Sequence, residues 1–250
     1  MQIKVMSFNL RITAQGDGIN YFPNRKERIL ECIREEAPDV IGFQEAGDDA
    51  RALLRDALAD QYVFVGCGRN KVYRGESTPI AFRKDRMELV GLTTRFLSDT
   101  PNVPGSRYEN SDQSSCPRLF VHAELSPEGA EGTFHFINTH LDHKGREARL
   151  LGMKQILSYA EGLSGSLVLT GDMNARPEED CICFAKEQGL ADTAEYVTHT
   201  FHGFGKVEKD CRIDYIFTNA PYANGRRVED TPVDGLYISD HHPMVADIEI

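Results

Sequence analysis

Apolar and polar residues alternate through the opening run MQIKVMSFNL, and the β-forming residues there predict a strand that ends at Asn9. From Asn24 to Glu36 the period lengthens. Ile29, Leu30 and Ile33 fall on one helical stripe, Asn24 is placed to cap it with Glu27 at the capping-box position, and Pro38 stops it. Asp39 to Phe43 is a short apolar strand, Asp48 to Ala59 an amphipathic helix, and Tyr62 to Val65 a further strand. Gly66 to Ser77 is a polar loop carrying Arg69, Lys71 and Arg74, followed by strands at 78–83 and 87–96. Ser98 to Pro117 has no period and many Pro, Gly, Asn and Ser residues. It predicts a long loop, and long loops in compact domains are often functional. Strands at 118–125 and 133–138 precede a helix over 146–160 with Leu150, Met153, Ile156 and Leu157 on one side. A strand at 166–170, a helix from Pro177 to Glu187 with proline in its first turn, and strands at 212–218 and 243–250 complete the chain.

Strands outnumber helices and come both as hairpin-like pairs and in β–α alternation. The expected class is α/β, with two mixed β-sheets packed face to face and helices outside. No linker rich in Pro, Gly or Ser interrupts the middle, so residues 1–250 read as a single domain.

Composition narrows the function. The net charge is −11, from 28 Lys and Arg against 39 Asp and Glu, which disfavours a protein that tracks long duplex nucleic acid on a basic stripe. No apolar run is long enough to cross a bilayer, and the opening run MQIKVMSFNLR lacks a basic-then-apolar leader pattern. The six cysteines form no CxxC pair and read as free thiols. These features together point to a cytoplasmic protein, monomeric by default.

Polar residues gather just after or before predicted strands: Asn9, Glu45, His140, Asp172, Asn174, Asp214, Asp240 and His241. Each alone is ordinary, as a turn residue or a satisfied histidine. Together they matter, because strand ends on one edge of a sheet converge on a crevice. The segments MSFNL, VIGFQE, INTHLD, LTGDMNARP, RIDYIF and SDHHPM, in this order from Met6 to Met244, resemble the motif series of the endonuclease/exonuclease/phosphatase (DNase-I-like) superfamily.

That resemblance implies a four-layer α/β sandwich and a Mg²⁺-dependent phosphoesterase, with Mn²⁺ as a possible substitute. It implies Glu45 as the main metal ligand, with Asn9 beside it and Asp240 contributing. Asp172 would orient or deprotonate the attacking water, and Asn174 would donate to a phosphoryl oxygen. Asp214 and His241 would form an acid–base dyad. RGESTPI and NTHLD add a second pair, Glu76 and His140, similar to that of the DNase-I-like, sphingomyelinase-like and deadenylase-like branches. Arg118, in CPRLF, is a further candidate phosphate contact. Setting the five site acids aside still leaves an acidic surface, so a small or short phosphoester is expected rather than long duplex DNA. The chain has no tryptophan and no exposed aromatic run for membrane insertion. The alternatives are a DNase-I-like or deadenylase-like nuclease, and a non-catalytic binding module on the same fold. A serine hydrolase would need a GxSxG elbow, and a zinc enzyme HExxH or paired cysteines; the chain has none of these.

Overall fold

The computed structural model describes residues 1–207 and 211–250. Twelve strands form among them: β1 (Gln2–Asn9), β2 (Val40–Gln44), β3 (Tyr62–Val65), β4 (Ile80–Arg83), β5 (Met87–Phe96), β6 (Leu119–Pro127), β7 (Phe134–His140), β8 (Leu167–Asp172), β9 (Ala191–Asp192), β10 (Asp214–Thr218), β11 (Tyr222–Arg227) and β12 (Met244–Glu249). The helices are α1 (Phe22–Glu36), α2 (Asp48–Ala57), α3 (Arg146–Ala160) and α4 (Asp180–Glu187). One six-stranded sheet runs β11-β12-β1-β2-β4-β3 and the other β5-β6-β7-β8-β10-β9. Both are mixed: β1–β2 and β7–β8 are parallel, and their other neighbours antiparallel.

The period-two alternation of the strands sorts their side chains into three cores. Ile3, Val5, Val40, Phe136, Val168, Ile216 and Ala246 meet between the sheets. Met6, Phe8, Ile41 and Phe43 face the other way, onto Ile29, Ile33 and Leu54 of α1 and α2. Ile137, Leu169, Tyr215 and Phe217 pack on Met153, Ile156 and Ile182 of α3 and α4. The result is the four-layer α/β sandwich.

The inward faces change character along their length. On β1 the inward series is Ile3, Val5, Ser7, Asn9. On β2 it is Val40, Gly42, Gln44. On β7 it is Phe134, Phe136, Asn138, His140, and on β8 Val168, Thr170, Asp172. Apolar core gives way to a buried polar layer, and that layer to the site. In the layer, Gln44 Nε2 donates to Asn138 Oδ1 at 2.7 Å, Thr170 Oγ1 donates to the same oxygen at 3.0 Å, and Asn138 Nδ2 donates to the Phe43 carbonyl at 2.7 Å. A Cβ on Gly42 would collide with Thr170 Oγ1 and Asn138 Oδ1, so only glycine lets the sheets close there. Each such bond contributes about 1 kcal/mol, and an unpaired partner would cost more than that. The layer therefore fixes the relative register of the two sheets directly beneath the site.

Two local expectations are corrected. α1 begins at Phe22, with Pro23 in its first turn and no side-chain cap, so Asn24 and Glu27 form no capping box; the Asn24 amide donates instead to Ile19 O at 3.0 Å, in the 3-10 turn Gln15–Asn20. α4 begins at Asp180 rather than Pro177, because a turn from Arg176 to Glu179 precedes it, closed by Glu179 N to Arg176 O and by Arg176 N to Glu179 Oε1, both 2.9 Å. The short strand β9 and the irregular edge strand β11 lie outside the expected elements. β9 has two residues and β11 is broken by a register shift, so neither carries a periodic signal. No helix among the described residues is long and apolar enough to cross a membrane.

Candidate active site

The topology explains why residues scattered from Asn9 to His241 meet. The parallel strands β1, β2, β7 and β8 end at this edge, contributing Asn9, Glu45, His140 and Asp172. Their antiparallel neighbours begin there: β4 after Glu76, β6 after Arg118, β10 at Asp214 and β12 after His241. The register sets His140 and Asp214 on either side of Asp172.

Asp172 is the hub. Its Oδ2 accepts from Asn9 Nδ2 at 2.9 Å and lies 3.5 Å from His140 Nε2 and 3.9 Å from His241 Nε2; its Oδ1 accepts from Asn174 N at 2.8 Å. Burial pushes its carboxyl up to about 7, and the nearby Asp214 acts in the same direction. Glu45 takes Ile12 N–H at 2.9 Å and Asn9 Nδ2 at 3.3 Å. Asp240 is buried, 3.8 Å from Arg11 Nε, and burial raises its carboxyl above the usual range. Glu45 and Asn174 hold left-handed backbone, at φ 55° and 49°, as does Arg11 at 58°. Backbone of this kind is rare in non-glycine residues and clusters at functional sites.

The two carboxylate–imidazole pairs stand on either side of Asp172. His241 Nδ1 is 2.9 Å from Asp214 Oδ2. Burial alone would lower its pKa, but Asp214, Asp240 and Asp172 outweigh it and hold the ring well above the usual imidazole value. His140 Nδ1 is 3.5 Å from Glu76 Oε1. Its pKa goes the other way, pushed well down by burial and by the guanidinium of Arg118.

All the residues singled out from the sequence reach this edge, and three are engaged differently from expectation. Asn9 turns its amide nitrogen, not its oxygen, toward the carboxylates, because its Oδ1 accepts Arg11 N–H at 2.9 Å. Asn174 spends its amide on the Leu141 carbonyl at 3.0 Å. Arg118 is buried behind the Glu76–His140 pair, 3.0 Å from His143 Nδ1 and 3.7 Å from Glu76 Oε1.

Arg25 was missed. Fully buried, it donates to the carbonyls of Asn20 at 2.6 Å, Leu10 at 3.0 Å, Arg11 at 3.2 Å and Ile238 at 2.6 Å, tying the chain after Asn9 to the chain before Asp240. Its position, four residues before Ile29 on the apolar stripe, was the available signal. Arg69 was read only as a loop cation, yet it grips Glu76 Oε2 at 2.6 Å.

Donor chemistry suits a hard divalent cation. One oxygen or nitrogen each from Glu45, His140 and Asp172 lie within 4.8 Å of one another, as do those of Asp172, Asp214 and His241. Buried carboxyls with raised pKa values are acid groups short of positive charge, which a divalent cation would supply.

An α/β sandwich with an acidic, two-histidine crevice at the strand ends is the architecture of a phosphoester-cleaving superfamily, and the chain belongs to the Endonuclease/Exonuclease/phosphatase family, matched over residues 6–241. Among solved structures it is similar to an endonuclease/exonuclease/phosphatase from Bacteroides vulgatus, at 27% identity and TM-score 0.89 over 100% of this chain and 99% of that one. It is also similar to a mannosyl-6-phosphatase from Bacteroides thetaiotaomicron, at 24% identity and TM-score 0.84 over 99% and 100% of the two chains. D. rerio TDP2, solved with a single strand DNA product, shares the fold at 17% identity and TM-score 0.76 over 100% and 99%.

Proposed function

We propose that the protein is a Mg²⁺-dependent phosphoesterase, with Mn²⁺ as a substitute, that hydrolyses a small or short phosphodiester or phosphomonoester. The observation that carries this reading is the Asp172 carboxyl set between two imidazoles of opposite protonation, with Glu45, Asp214 and Asp240 around them. The neighbours support a phosphoester substrate, one being a mannosyl-6-phosphatase and another solved with a single strand DNA product.

Glu45 and Asp240 would hold the ion, with Asn9 beside them once its amide turns its oxygen inward. When bound, a divalent ion neutralises charge on the phosphoryl oxygens and lowers the pKa of water. The chain's own groups then divide the remaining work. Asp172 Oδ2 orients the attacking water and takes its proton as the new P–O bond forms. His241, held as imidazolium with Nδ1–H on Asp214, points Nε2–H at the phosphoryl oxygens. Its positive charge offsets the negative charge that builds there. His140 is neutral, so it serves as a hydrogen-bond partner for the phosphate or the leaving oxygen. The P–O bond to the alcohol breaks, and the alcohol oxygen leaves with a proton returned from Asp172 or His241.

The test is turnover of a phosphoester panel by purified protein. Chelation should abolish hydrolysis and Mg²⁺ or Mn²⁺ restore it. Glu45→Gln should raise the Mg²⁺ needed for half-maximal activity, because a neutral amide replaces a charged oxygen ligand. Full activity of that variant at limiting Mg²⁺ would overturn the metal assignment. Preference for DNA or an oligoadenylate tail over every small ester would favour the nuclease reading.

A further inference from the structure

The β1–β12 ladder ends at the pair Ser7 and Met244, so Asp240 reaches the site on a loop. Asn9 does not: it still pairs with Gln44 on β2, next to Glu45. Two of the side chains assigned to the ion are therefore carried by the sheet, and the third by the segment 236–240. Whatever joins that segment to the end of β1 decides how well the set keeps its spacing. Ser239 Oγ supplies one tie, donating to Asn9 O at 2.6 Å.

Arg25 of α1 supplies the rest from outside both segments. Its Nη1 divides two hydrogens between them, donating to Leu10 O at 3.0 Å and to Ile238 O at 2.6 Å. Nη2 adds Arg11 O at 3.2 Å, and Nε adds Asn20 O at 2.6 Å. Asn20 extends the clasp, with Nδ2 donating to Gly235 O at 3.2 Å and Oδ1 accepting Tyr237 N–H at 2.8 Å. The rings of Phe22 and Phe204 cover the guanidinium, their centroids 5.8 and 5.7 Å from Cζ. Arg25 is fully buried, and among the described residues its partners are carbonyls and no carboxylate. Burial lowers its pKa to about 10, so it remains charged at neutral pH. A buried charge with no ionic partner is costly to the fold. An apolar residue there would bury no charge, but it would leave the carbonyls unpaired and the two segments free to part.

We propose that Arg25 is a positioning residue for the divalent ion: by holding the carbonyls of Leu10, Arg11 and Ile238 on one guanidinium, it fixes Asp240 against Asn9 and Glu45 at the spacing the ion needs. The proposal rests on the metal-dependent reading above. Arg25 touches neither ion nor substrate. Its charge works against the ion, because Asp240 and Glu45 both feel it as a competing cation. Its contribution is the planar fork, and fork and charge are separable by substitution.

Mn²⁺ binding to the purified protein, read from the EPR signal of the free ion, tests this without substrate. Arg25→Lys keeps the charge but replaces the fork by a single nitrogen, and it should weaken Mn²⁺ binding ~10- to 100-fold. Turnover by the same variant at saturating Mg²⁺ should stay within severalfold of the unsubstituted protein, since excess ion refills the site. Arg25→Met, which loses fork and charge together, should also bind Mn²⁺ more weakly. A folded Arg25→Lys of unchanged affinity overturns the proposal, because a merely structural arginine would lower Tm and leave ion binding alone. Tighter binding by Arg25→Met overturns it as well and makes Arg25 a charge that restrains the ion. If thermal melts show that the Arg25 variants do not fold, Asn20→Ala decides. It loosens the clasp at Gly235 and Tyr237 and should weaken Mn²⁺ binding severalfold; an unmoved affinity overturns the proposal. An unsubstituted protein that binds neither Mn²⁺ nor Mg²⁺ overturns the metal-dependent reading itself, and the role of Arg25 with it.

Discussion

Asp214–His241 and Glu76–His140 are the same chemical pair, a carboxylate beside a buried imidazole, both within 4 Å of Asp172 Oδ2 through the ring Nε2. They end in opposite states. Asp214 has His241 as its cation, at 2.9 Å, and Asp240 and Asp172 add to the pull. Glu76 is already taken by Arg69 at 2.6 Å and approached by Arg118 at 3.7 Å, and both guanidiniums push His140 toward neutrality. A dyad's protonation is thus set by the other partners of its carboxylate. Sequence spacing cannot display those partners, since Arg69 and Arg118 belong to different loops. One site thereby obtains a resident cation on one wall and a neutral hydrogen-bonding ring on the other, in keeping with the rule that environments which drive two titratable groups apart assign their roles.

The harshest way to break the contrast is Asp214→Asn. His241 would lose its carboxylate, and kcat/KM should fall ~10²–10⁴-fold, the usual span for an acid–base group. The sign of the pH effect follows from the raised pKa. Activity that needs the imidazolium is lost as pH rises through the His241 value, so without Asp214 that basic limb should move down toward about 6.5. A pH–rate profile measures it, and an unmoved basic limb would show that His241 does not act as a cation.

Glu76→Gln should cost less, on the order of 10-fold to 10²-fold in kcat/KM, and should leave the basic limb where it is. The variant frees Arg69 and Arg118 from their carboxylate, which drives His140 further toward its neutral form rather than changing its role. Should the limb shift as far as in Asp214→Asn, the two walls are equivalent and the comparison fails.

A smaller effect tests Asp172 between them. Its carboxyl, raised to about 7 in the fold, gives stability that is present below its unfolded value near 3.8 and is gone once pH has risen through about 7. A bound divalent ion competes with that proton, so the increase in Tm on adding Mg²⁺ should be larger at about pH 8 than at about pH 5.5. The difference between metal-loaded and chelated melts is the quantity to read. Buried His122 and His202, pushed down to about 4 and about 3, destabilise the fold on acidification in both states and cancel. A Mg²⁺ shift independent of pH would argue that the ion sits away from Asp172.

Much of this was legible because one period runs from core to site. The alternation that puts Ile3 and Val5 between the sheets carries Ser7 and Asn9 to the same face, and the same continuation links Val168, Thr170 and Asp172. Strand ends and motif order were therefore enough to name the polar residues that converge. Two kinds of fact stayed hidden. Side-chain orientation depends on neighbours distant in sequence: Asn9 faces inward with its nitrogen because of Arg11, and Asn174 is drawn to Leu141. Buried arginines also look like surface charges in a string of letters. Arg149 of α3 is 7% exposed and bound to Glu179 at 2.5 Å, while Arg25 sits wholly inside.

That last point bears on the mildest effect, the dependence of turnover on salt. Of the six cations Arg69, Lys71, Arg74, Lys144, Arg146 and Arg149, which lie in the segments leading to Glu76 and following His140, Arg69 is committed to Glu76, Arg149 to Glu179 and Arg146 to Asp180. Lys71, Arg74 and Lys144 are the exposed members of that set with no ion pair among the described residues, on a protein of net charge −11. A ligand that engages six to ten phosphates loses about 10³–10⁵-fold in affinity between low and moderate salt. Three exposed cations beside the Glu76–His140 wall can follow one or two phosphates, so kcat/KM for a small ester should fall only severalfold over the same range. Charge reversal at Lys71 or Arg74 should flatten even that slope, whereas substitutions on the Asp214–His241 wall should lower the rate without altering the slope. A salt series with a small ester and with plasmid DNA distinguishes the cases. Faster turnover of the plasmid with a steep slope would replace the small-substrate reading with a nuclease one.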